Sequence, residues 1–266
     1  MSDIATRPGL SMRERRDAIS EHILEHRSAL AADLAQMFDV SLMTIHRDLD
    51  ALAEEGLVRR FHGGASALRS ERFEPDVSYR LRLALSAKRE IAAAAVQHFV
   101  EPEMSLLLDD STSALAVAQR LSGVTPVTVV TPFLEIISAL ARQEGVELHA
   151  LGGEYNPTNN SFHGAGFYAA LEHVNADILF ASSAAADAAG VYHQEAEVHV
   201  SKRALMARAE RKVLLMDRTK LGSTALYRIS GLDAWDAIVV DSAADATEVE
   251  RMRAAGGNVI VAPPLP

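Results

Sequence analysis

Seven short apolar runs, separated by stretches with helical spacing, constrain the fold of this chain more than any other feature of its sequence. The runs cover residues 106–108, 127–130, 146–151, 178–181, 213–216, 238–240 and 259–261. Between them the spacing of apolar residues predicts helices, among others over 91–99, 114–121, 134–142 and 197–211. Strands that alternate with helices form βαβ units, in which a mainly parallel sheet is covered on both faces. The sequence therefore predicts an α/β domain over residues 87–266.

The first 68 residues follow a different pattern, which predicts three short helices and a hairpin. The third helix carries Ile45, Leu49 and Leu52 at the spacing of one helix face. Ser41 is a good N-cap for it, at the end of a tight turn formed by residues 39–41. An extended stretch over 57–62 then ends at Gly63-Gly64, which predicts a hairpin. We expect a winged helix-turn-helix over residues 11–68, joined by a polar linker, 69–86, to the α/β domain.

The third helix and the hairpin provide candidate DNA-binding residues. If Ile45 faces inward, an advance of about 100° per residue puts Met43 and Arg47 on the opposite side of the helix, with Thr44 and His46 beside them. The hairpin would supply phosphate contacts, and its glycines would let the backbone approach DNA closely. The candidates are Ser41, Met43, Thr44, His46, Arg47, Arg59, Arg60, His62, Gly63 and Gly64. The alternative is an accessory three-helix bundle in which Arg59 and Arg60 are merely solvated.

The charge and composition restrict the classes of function. The formal net charge of -10 would argue against a nucleic-acid partner, because Lys and Arg supply most of the affinity for phosphates. Up to Arg69, however, 9 Lys+Arg stand against 11 Asp+Glu, so the acidity belongs mainly to the rest of the chain. The absence of cysteine excludes disulfides, thiol nucleophiles and Cys-ligated metal sites. Since neither a signal peptide nor a spanning apolar run is found, we expect a soluble, cytoplasmic protein with no membrane partner. We also expect no metal site, because no His/Asp/Glu spacing resembles one.

Small polar residues follow several of the predicted strands. They include residues 109–113, Gly152 and Gly153, and residues 217–220. Ligands of open parallel sheets bind beyond the carboxyl ends of the strands, and a helix is expected to begin near Ala114. Hydroxyls and unpaired N–H groups at residues 111–113 therefore predict an anion site, although Ser111 could also be an ordinary N-cap.

Few cations are placed to neutralise an anion there. Between Arg89 and Lys202 the only basic residues are Arg120 and Arg142, both in predicted helices away from the strand ends. Counter-charge would come from Lys220, Lys202 or Lys88, and Lys220, which follows a strand, is favoured over the alternative of a surface lysine. The candidate effector-binding residues are Asp109, Ser111, Thr112, Ser113, Gly152, Gly153, Glu195, Lys202 and Lys220.

Both halves of the chain resemble the DeoR family of bacterial transcriptional regulators. In the first half the resemblance lies in residues 32–35, 40–49 and 55–65, where His46-Arg47 replaces the two adjacent arginines usual in the family. In the second half it lies in Lys88 with the helix after it and in residues 108–113, 151–153, 177–180, 196–204 and 215–220. These segments are similar to the family's sensor domain, whose fold is related to ribose-5-phosphate isomerase.

The resemblance implies a regulator of a sugar-catabolic operon, usually a repressor, that binds a double-stranded DNA operator and is controlled by a phosphorylated sugar. Because one winged helix covers little DNA, we expect it to act as a homo-oligomer, either a dimer or a tetramer. No cofactor is implied.

The alternative class is a sugar-phosphate isomerase-like enzyme with an accessory helical domain. The related isomerases place a cluster of carboxylates after a strand for general acid/base work. The corresponding stretch here, residues 182–187, holds one carboxylate, Asp187, although Glu195 and Glu197 could supply another. We therefore predict no catalytic residue. A third alternative, a purely structural interaction module, would bind neither DNA nor a small ligand.

Overall fold

A computed structural model describes residues 10–26, 28–67 and 76–265 of the chain. The chain divides into two compact units, one formed by Met1–Ser70 with Ser78–Ala84 and the other by Glu71–Val77 with Leu85–Pro266. Residues 69–75 of the predicted linker lie outside the described residues. Its described part is not irregular, because a short helix covers Val77–Arg80 and Tyr79 is buried in the core of the first unit.

Over residues 10–26 and 28–67, the first unit contains three helices and a small antiparallel sheet. Its elements are α1 (Met12–His26), β1 (Ser28–Leu30), α2 (Ala31–Met37), α3 (Leu42–Glu54), β2 (Val58–Phe61) and β3 (Gly64–Ala67). The sheet has the order β1-β3-β2, so the predicted hairpin is confirmed and gains a third strand. The four-residue spacing of Leu30, Leu34 and Phe38 predicts a second helix that includes Leu30, but Leu30 lies in β1 because its backbone pairs with Gly64.

The core of this unit follows the predicted helical faces. Ile45, Leu49 and Leu52 of α3 are at most 1% exposed and pack with Ile19, Ile23 and Leu34 from the other two helices. Ser41 caps α3 as predicted, because its hydroxyl accepts a hydrogen bond from the Thr44 N–H at 3.1 Å. These contacts fix the orientation of α3 within the unit.

The second unit is an α/β domain. Helix α4 (Val77–Arg80) precedes this domain in the chain, and its residues 78–80 belong to the first unit. The helices of the domain are α5 (Leu85–Phe99), α6 (Thr112–Ala118), α7 (Leu134–Leu140), α8 (Gly164–Leu171), α9 (Ala196–Met206) and α10 (Ala246–Ala254). The strands are β4 (Ser105–Leu108), β5 (Val127–Thr131), β6 (Val146–Ala150), β7 (Glu154–Asn156), β8 (Ser161–His163), β9 (Ala176–Ala181), β10 (Ala185–Asp187), β11 (Gly190–His193), β12 (Ala209–Met216), β13 (Tyr227–Ser230), β14 (Ala237–Val240) and β15 (Val259–Val261). Three short 3₁₀ turns cover Leu121–Gly123, Arg218–Lys220 and Leu232–Ala234.

Seven of these strands form one sheet, in the order β15-β14-β12-β9-β4-β5-β6, and every pairing in it is parallel. They are the seven strands predicted from the apolar runs. Residues such as Leu107, Leu179 and Leu214 are completely buried, as expected for strands covered on both faces. Two small antiparallel sheets, β7-β8 and β10-β11-β13, were not predicted.

Two helix boundaries differ from the prediction. The helix expected over 197–211 ends at Met206, because residues 209–211 begin strand β12 and pair with β9. The helix expected to begin near Ala114 begins at Thr112. Both differences arise because backbone pairing and capping, which the apolar pattern does not report, decide where elements end.

Candidate functional site

Helix α3 presents an exposed outer face in the first unit. Met43 is 64% exposed, and Arg47 is exposed, whereas Thr44 and His46 are half-buried at its sides. This distribution agrees with the angular expectation from the sequence. The face offers one guanidinium and one imidazole in the first two turns of the helix, where helix-turn-helix proteins contact base edges.

A buried carboxylate holds α3 against α1. Asp48 is 2% exposed and accepts hydrogen bonds from Nε of Arg15 at 2.7 Å and from Nε of Arg16 at 2.9 Å. Charge-assisted bonds of this kind are short and directional, so they set the angle of α3 against its neighbour. No sequence pattern pointed to this cluster, because Arg15 and Arg16 lie 33 and 32 residues from Asp48 in the chain.

Arg60 of strand β2 is bound to helix α3. Its Nη2 lies 2.9 Å from Nδ1 of His46, its Nε lies 3.0 Å from Oδ1 of Asp50, and its Nη1 donates to the Gly64 carbonyl at 3.1 Å. A guanidinium has five N–H donors, so these contacts leave at most two for DNA. Arg59 and His62, the other predicted phosphate donors, are exposed.

The two glycines of the hairpin have different roles. Gly63 is exposed at the turn with φ +87°, a conformation that favours glycine. Gly64 is buried, and a Cβ there would lie 2.3 Å from the Ala29 carbonyl oxygen. Glycine is therefore required at 64 by internal packing against β1, whereas the sequence pattern assigned its lack of a side chain to a close approach of the hairpin to DNA.

In the second unit, the direction of the strand order changes at β4. The chain proceeds from β4 to β5 and β6 on one side, and then places β9, β12, β14 and β15 on the other. The carboxyl ends of β4 and β9 therefore flank a topological switch point, where open α/β sheets form their ligand crevice. Asp109 directly follows β4, and Ser182 directly follows β9.

A buried polar network joins these strand ends. Asp109 is fully buried; its Oδ1 accepts from the Ser111 N–H at 3.0 Å and its Oδ2 accepts from the Ser182 N–H at 2.9 Å. Nζ of Lys202, from helix α9, lies 2.6 Å from Oδ2 of Asp109 and 3.3 Å from Oδ1 of Asp110. Lys202 is 4% exposed, so one buried ammonium stands between two buried carboxylates.

Lys220 extends the network to the end of β12. Its Nζ donates to Oγ of Ser182 at 3.0 Å and lies 3.7 Å from Oδ2 of Asp217, and its side chain is 22% exposed. Burial of Asp217 opposes ionisation, but the positive charges of Lys220 and Lys88, together with hydrogen bonds from Thr219, outweigh it and lower the pKa of that carboxyl. Three strand ends and two lysines thus meet at one edge of the sheet.

The predicted anion-binding turn lies in this region but is largely internal. Oγ of Ser111 accepts from the Ala114 N–H at 3.0 Å, which is an ordinary N-cap contact. Thr112 is 6% exposed, and Ser113 is fully buried with no hydrogen-bond partner for its Oγ among the described residues. The Ser111 hydroxyl therefore caps helix α6, and the Ser113 hydroxyl lies in the interior of the unit.

The β7-β8 hairpin borders the same region. Oγ of Ser161 lies 3.2 Å from Oδ2 of Asp110 and 2.6 Å from Nε2 of His163, and all three residues are buried. Gly153 packs against the backbone of His163, since a Cβ there would lie 2.2 Å from its carbonyl oxygen. No sequence pattern pointed to Ser161 and His163, because the hairpin that carries them was not predicted.

Two further predicted residues lie nearby in the chain. Gly152 is exposed, and a Cβ added there would meet no atom within 4 Å. Glu195 precedes α9, which carries Lys202, and its Oε2 accepts a hydrogen bond from Asn159 at 3.4 Å. Glu195 is only half-buried, so its carboxylate is more accessible than that of Asp109.

The described parts of the two units hold neither a metal-binding cluster nor a helix that could span a membrane. Among residues 10–26, 28–67 and 76–265, no three His, Asp or Glu side chains are grouped so that they could hold a metal ion. Across the same residues, none of the helices combines the length and the apolar character needed to cross a bilayer.

Comparison with known protein families identifies both units. Residues 15–71 match the DeoR-like helix-turn-helix domain, and residues 84–242 match the DeoR C-terminal sensor domain. The second match alone covers more than half of the chain.

Individual relatives are similar over nearly their whole length. The chain is 32% identical to a protein of Escherichia coli O157:H7 named for repression of the aga operon, over 93% of both chains. It is 30% identical to the transcriptional repressor AccR of Agrobacterium fabrum, over 87% of this chain and 90% of that one. It is also 30% identical to the L-fucose operon activator of Haemophilus influenzae, over 86% of this chain and 92% of that one.

Among solved structures, the ribose 5-phosphate isomerase from Plasmodium falciparum matches 50% of this chain and 51% of its own, with 16% identity and a TM-score of 0.36. The winged unit, the parallel sheet with its polar edge and the two domain matches agree with one another. The chain belongs to the DeoR family of DNA-binding transcriptional regulators, which are not enzymes.

Proposed function

We propose that this protein binds operator DNA through α3 and the β2-β3 hairpin, and that a phosphorylated sugar at the carboxyl edge of its parallel sheet controls that binding. Residues 11–68 would form the DNA-binding domain, 69–86 the linker and 87–266 the sensor domain. The observation that carries the proposal is the buried polar network at the switch point, where the ends of β4, β9 and β12 are joined through Lys202 and Lys220. As a regulator of operon DNA, the protein would act in the cytoplasm.

The charges at this edge favour a phosphate beside Lys220. Lys202 is already held by Asp109 and Asp110, so its charge is largely neutralised within the protein. Lys220 is the more exposed of the two lysines, and its hydroxyl partner Ser182 is neutral. A phosphate would accept charge-assisted hydrogen bonds from Lys220 and draw it away from Asp217.

The sugar hydroxyls would be recognised by the acceptors around this position. Asp110 and Glu195 carry carboxylates, which accept hydrogen bonds from hydroxyl groups. Gly152, Gly153 and the 111–113 turn would shape the crevice. Since Ser111 caps a helix and Ser113 is buried, we assign the phosphate to Lys220 and not to the 111–113 turn.

DNA recognition would divide between base and phosphate contacts. Arg47, exposed on the outer face of α3, would contact base edges, with Met43 and Thr44 beside it and Ser41 near the backbone. Arg59, His62 and Gly63 would contact phosphates from the hairpin. Because one such module covers little DNA, a homo-oligomer would bind two half-sites.

Calorimetric titration with a panel of phosphorylated sugars and their unphosphorylated counterparts tests the sensor site. For the phosphosugar that binds, Lys220→Ala should lower affinity by about 1.5 to 3 kcal/mol, the range for losing a hydrogen bond to a charged group. The unphosphorylated sugar should bind weakly to both proteins. Lys212→Ala, which removes a lysine from the amino-terminal half of β12, is the matched control and should bind like the wild type. Equal losses in both variants would place the phosphate elsewhere.

Band-shift or fluorescence titration with operator DNA tests the coupling. The phosphosugar should change the DNA affinity of the wild type, whereas Lys220→Ala should bind DNA normally and respond only at higher sugar concentrations. Thr112→Glu would also add a repelling charge, but Thr112 is 6% exposed, so that variant tests packing as much as charge. DNA binding that is unaffected by any bound sugar would contradict the regulatory part of the proposal.

A further inference from the structure

The contact between Arg60 and His46 determines which hydrogen-bonding group of the imidazole can be offered by helix α3. Nη2 of Arg60 lies 2.9 Å from Nδ1 of His46. A guanidinium only donates hydrogen bonds and stays protonated in proteins, so Nδ1 must be the acceptor. A neutral imidazole with an accepting Nδ1 carries its proton on Nε2.

The geometry of the imidazole ring then sets the direction of that proton. The two ring nitrogens are separated by one carbon, and their lone-pair and N–H directions diverge widely. The Nε2–H of His46 therefore points away from Arg60. His46 lies in the first turn and a half of α3, directly before the exposed Arg47.

Arg60 itself is held in place by more than His46. Asp50, one turn further along α3, lies 3.0 Å from its Nε, and the Gly64 carbonyl accepts from its Nη1. The guanidinium thus bridges the helix and the hairpin with three of its donors, and its side chain is 28% exposed. A side chain fixed in this way can hold a neighbouring ring in one orientation.

We propose that Arg60 is a positioning residue that holds His46 as the Nε2–H tautomer, so that α3 selects a base presenting a hydrogen-bond acceptor in the major groove. Guanine offers N7 and O6, adenine offers N7 and thymine offers O4, whereas cytosine offers only the N4 donor at its edge. His46 would therefore reject cytosine at the base it contacts. The inference rests on the placement of α3 in the groove given under the proposed function.

A double-mutant cycle on DNA separates this role from a phosphate contact. The operator is first selected from random duplexes with the full-length protein, and affinities are then measured for every single-base change. His46→Ala and Arg60→Gln should each reduce discrimination at the same position, by about fivefold to tenfold, as expected for one hydrogen bond. The double variant should lose no more discrimination than His46→Ala alone.

Arg59→Gln is the matched control, because it removes the same charge from the neighbouring, exposed position of β2. It should weaken binding to all sequences similarly and leave discrimination unchanged. If Arg60→Gln behaves like Arg59→Gln, or if the double variant loses the sum of the two single effects, the positioning role is refuted. Arg60→Lys, which keeps the charge but not the planar fork, should also lose discrimination.

Nitrogen NMR of the histidine rings gives a readout that needs no DNA. At pH 8, the His46 signal, identified by its loss in His46→Ala, should show a protonated Nε2 and an unprotonated Nδ1. Arg60→Gln should shift this signal toward a mixture of tautomers, and Arg59→Gln should not. A protonated Nδ1 in the wild type would overturn the inference. Failure of the wild type to bind any DNA would instead contradict the proposed function. The NMR measurement would then still decide whether Arg60 holds His46 as the Nε2–H tautomer.

Discussion

Lys202→Met should destabilise the sensor unit more than the loss of any ordinary lysine. The ammonium of Lys202 lies between the carboxylates of Asp109 and Asp110, which are 0% and 5% exposed. Met has a similar length and can fill the space of the aliphatic stem. The substitution therefore removes the charge and leaves two neighbouring carboxylates buried together.

The size of the effect follows from the contacts that remain. Removing one partner of a buried ion pair costs about 3 to 5 kcal/mol, because the other charge stays buried without compensation. Asp109 keeps the N–H donors of Ser111 and Ser182, which places the expected cost near the lower limit, at about 3 kcal/mol. For a domain of this size that corresponds to a fall in Tm of about 6 to 12 °C.

Differential scanning calorimetry of the full-length protein at neutral pH measures this change in the transition of the sensor unit. Lys212→Met is the control and should shift Tm by less than about 2 °C. In the described structure the Nζ of Lys212 contacts only the Glu210 carbonyl oxygen, at 3.4 Å. Asp110→Asn should also be mild, because it leaves the pair of Lys202 and Asp109 intact. A fall in Tm for Lys202→Met no larger than that for Lys212→Met would show that the buried lysine does not hold these carboxylates.

Three further substitutions test local features of the fold. Ser41→Ala should cost about 1 kcal/mol by removing the N-cap of α3, measured as a lower Tm of the first unit; an unchanged Tm would refute the cap. Gly64→Ala should disrupt the small sheet and abolish DNA binding, since its Cβ would meet the Ala29 carbonyl oxygen at 2.3 Å; normal binding would contradict this packing. The pKa of Asp177 is lowered from 3.8 by hydrogen bonds from the backbone and side chain of Ser105, so this carboxylate stabilises the fold above about pH 4, and that contribution is lost as the pH falls below it. Asp177→Asn should therefore lower Tm at pH 7 and flatten its decline below pH 4, whereas an unchanged acid profile would exclude the linkage.

Short-range patterns in the sequence determined most of the secondary structure. All seven apolar runs are strands of the main sheet, because a strand covered on both faces needs a continuous run of apolar side chains. The inward face of α3 and its Ser41 cap were likewise predictable, because helical spacing and capping chemistry involve residues only three or four positions apart. The same local patterns could not show that Leu30 pairs as a strand or that β12 begins at Ala209, since both depend on partners elsewhere in the chain.

Tertiary structure alone decided how the polar residues are used. Asp109 and Lys202 are 93 residues apart, and only the strand order, which places β9 beside β4, brings α9 and its lysine to that strand end. His46 and Arg60 were both candidates for contact with DNA, yet the folding of the hairpin against α3 makes them partners of each other. Residue types and spacing specify which groups are available, whereas the direction of each hydrogen bond is set by packing between distant segments. For that reason the sequence predicted α3 and the carboxyl edge of the sheet as candidate sites, and the structure determined which of their side chains contact one another.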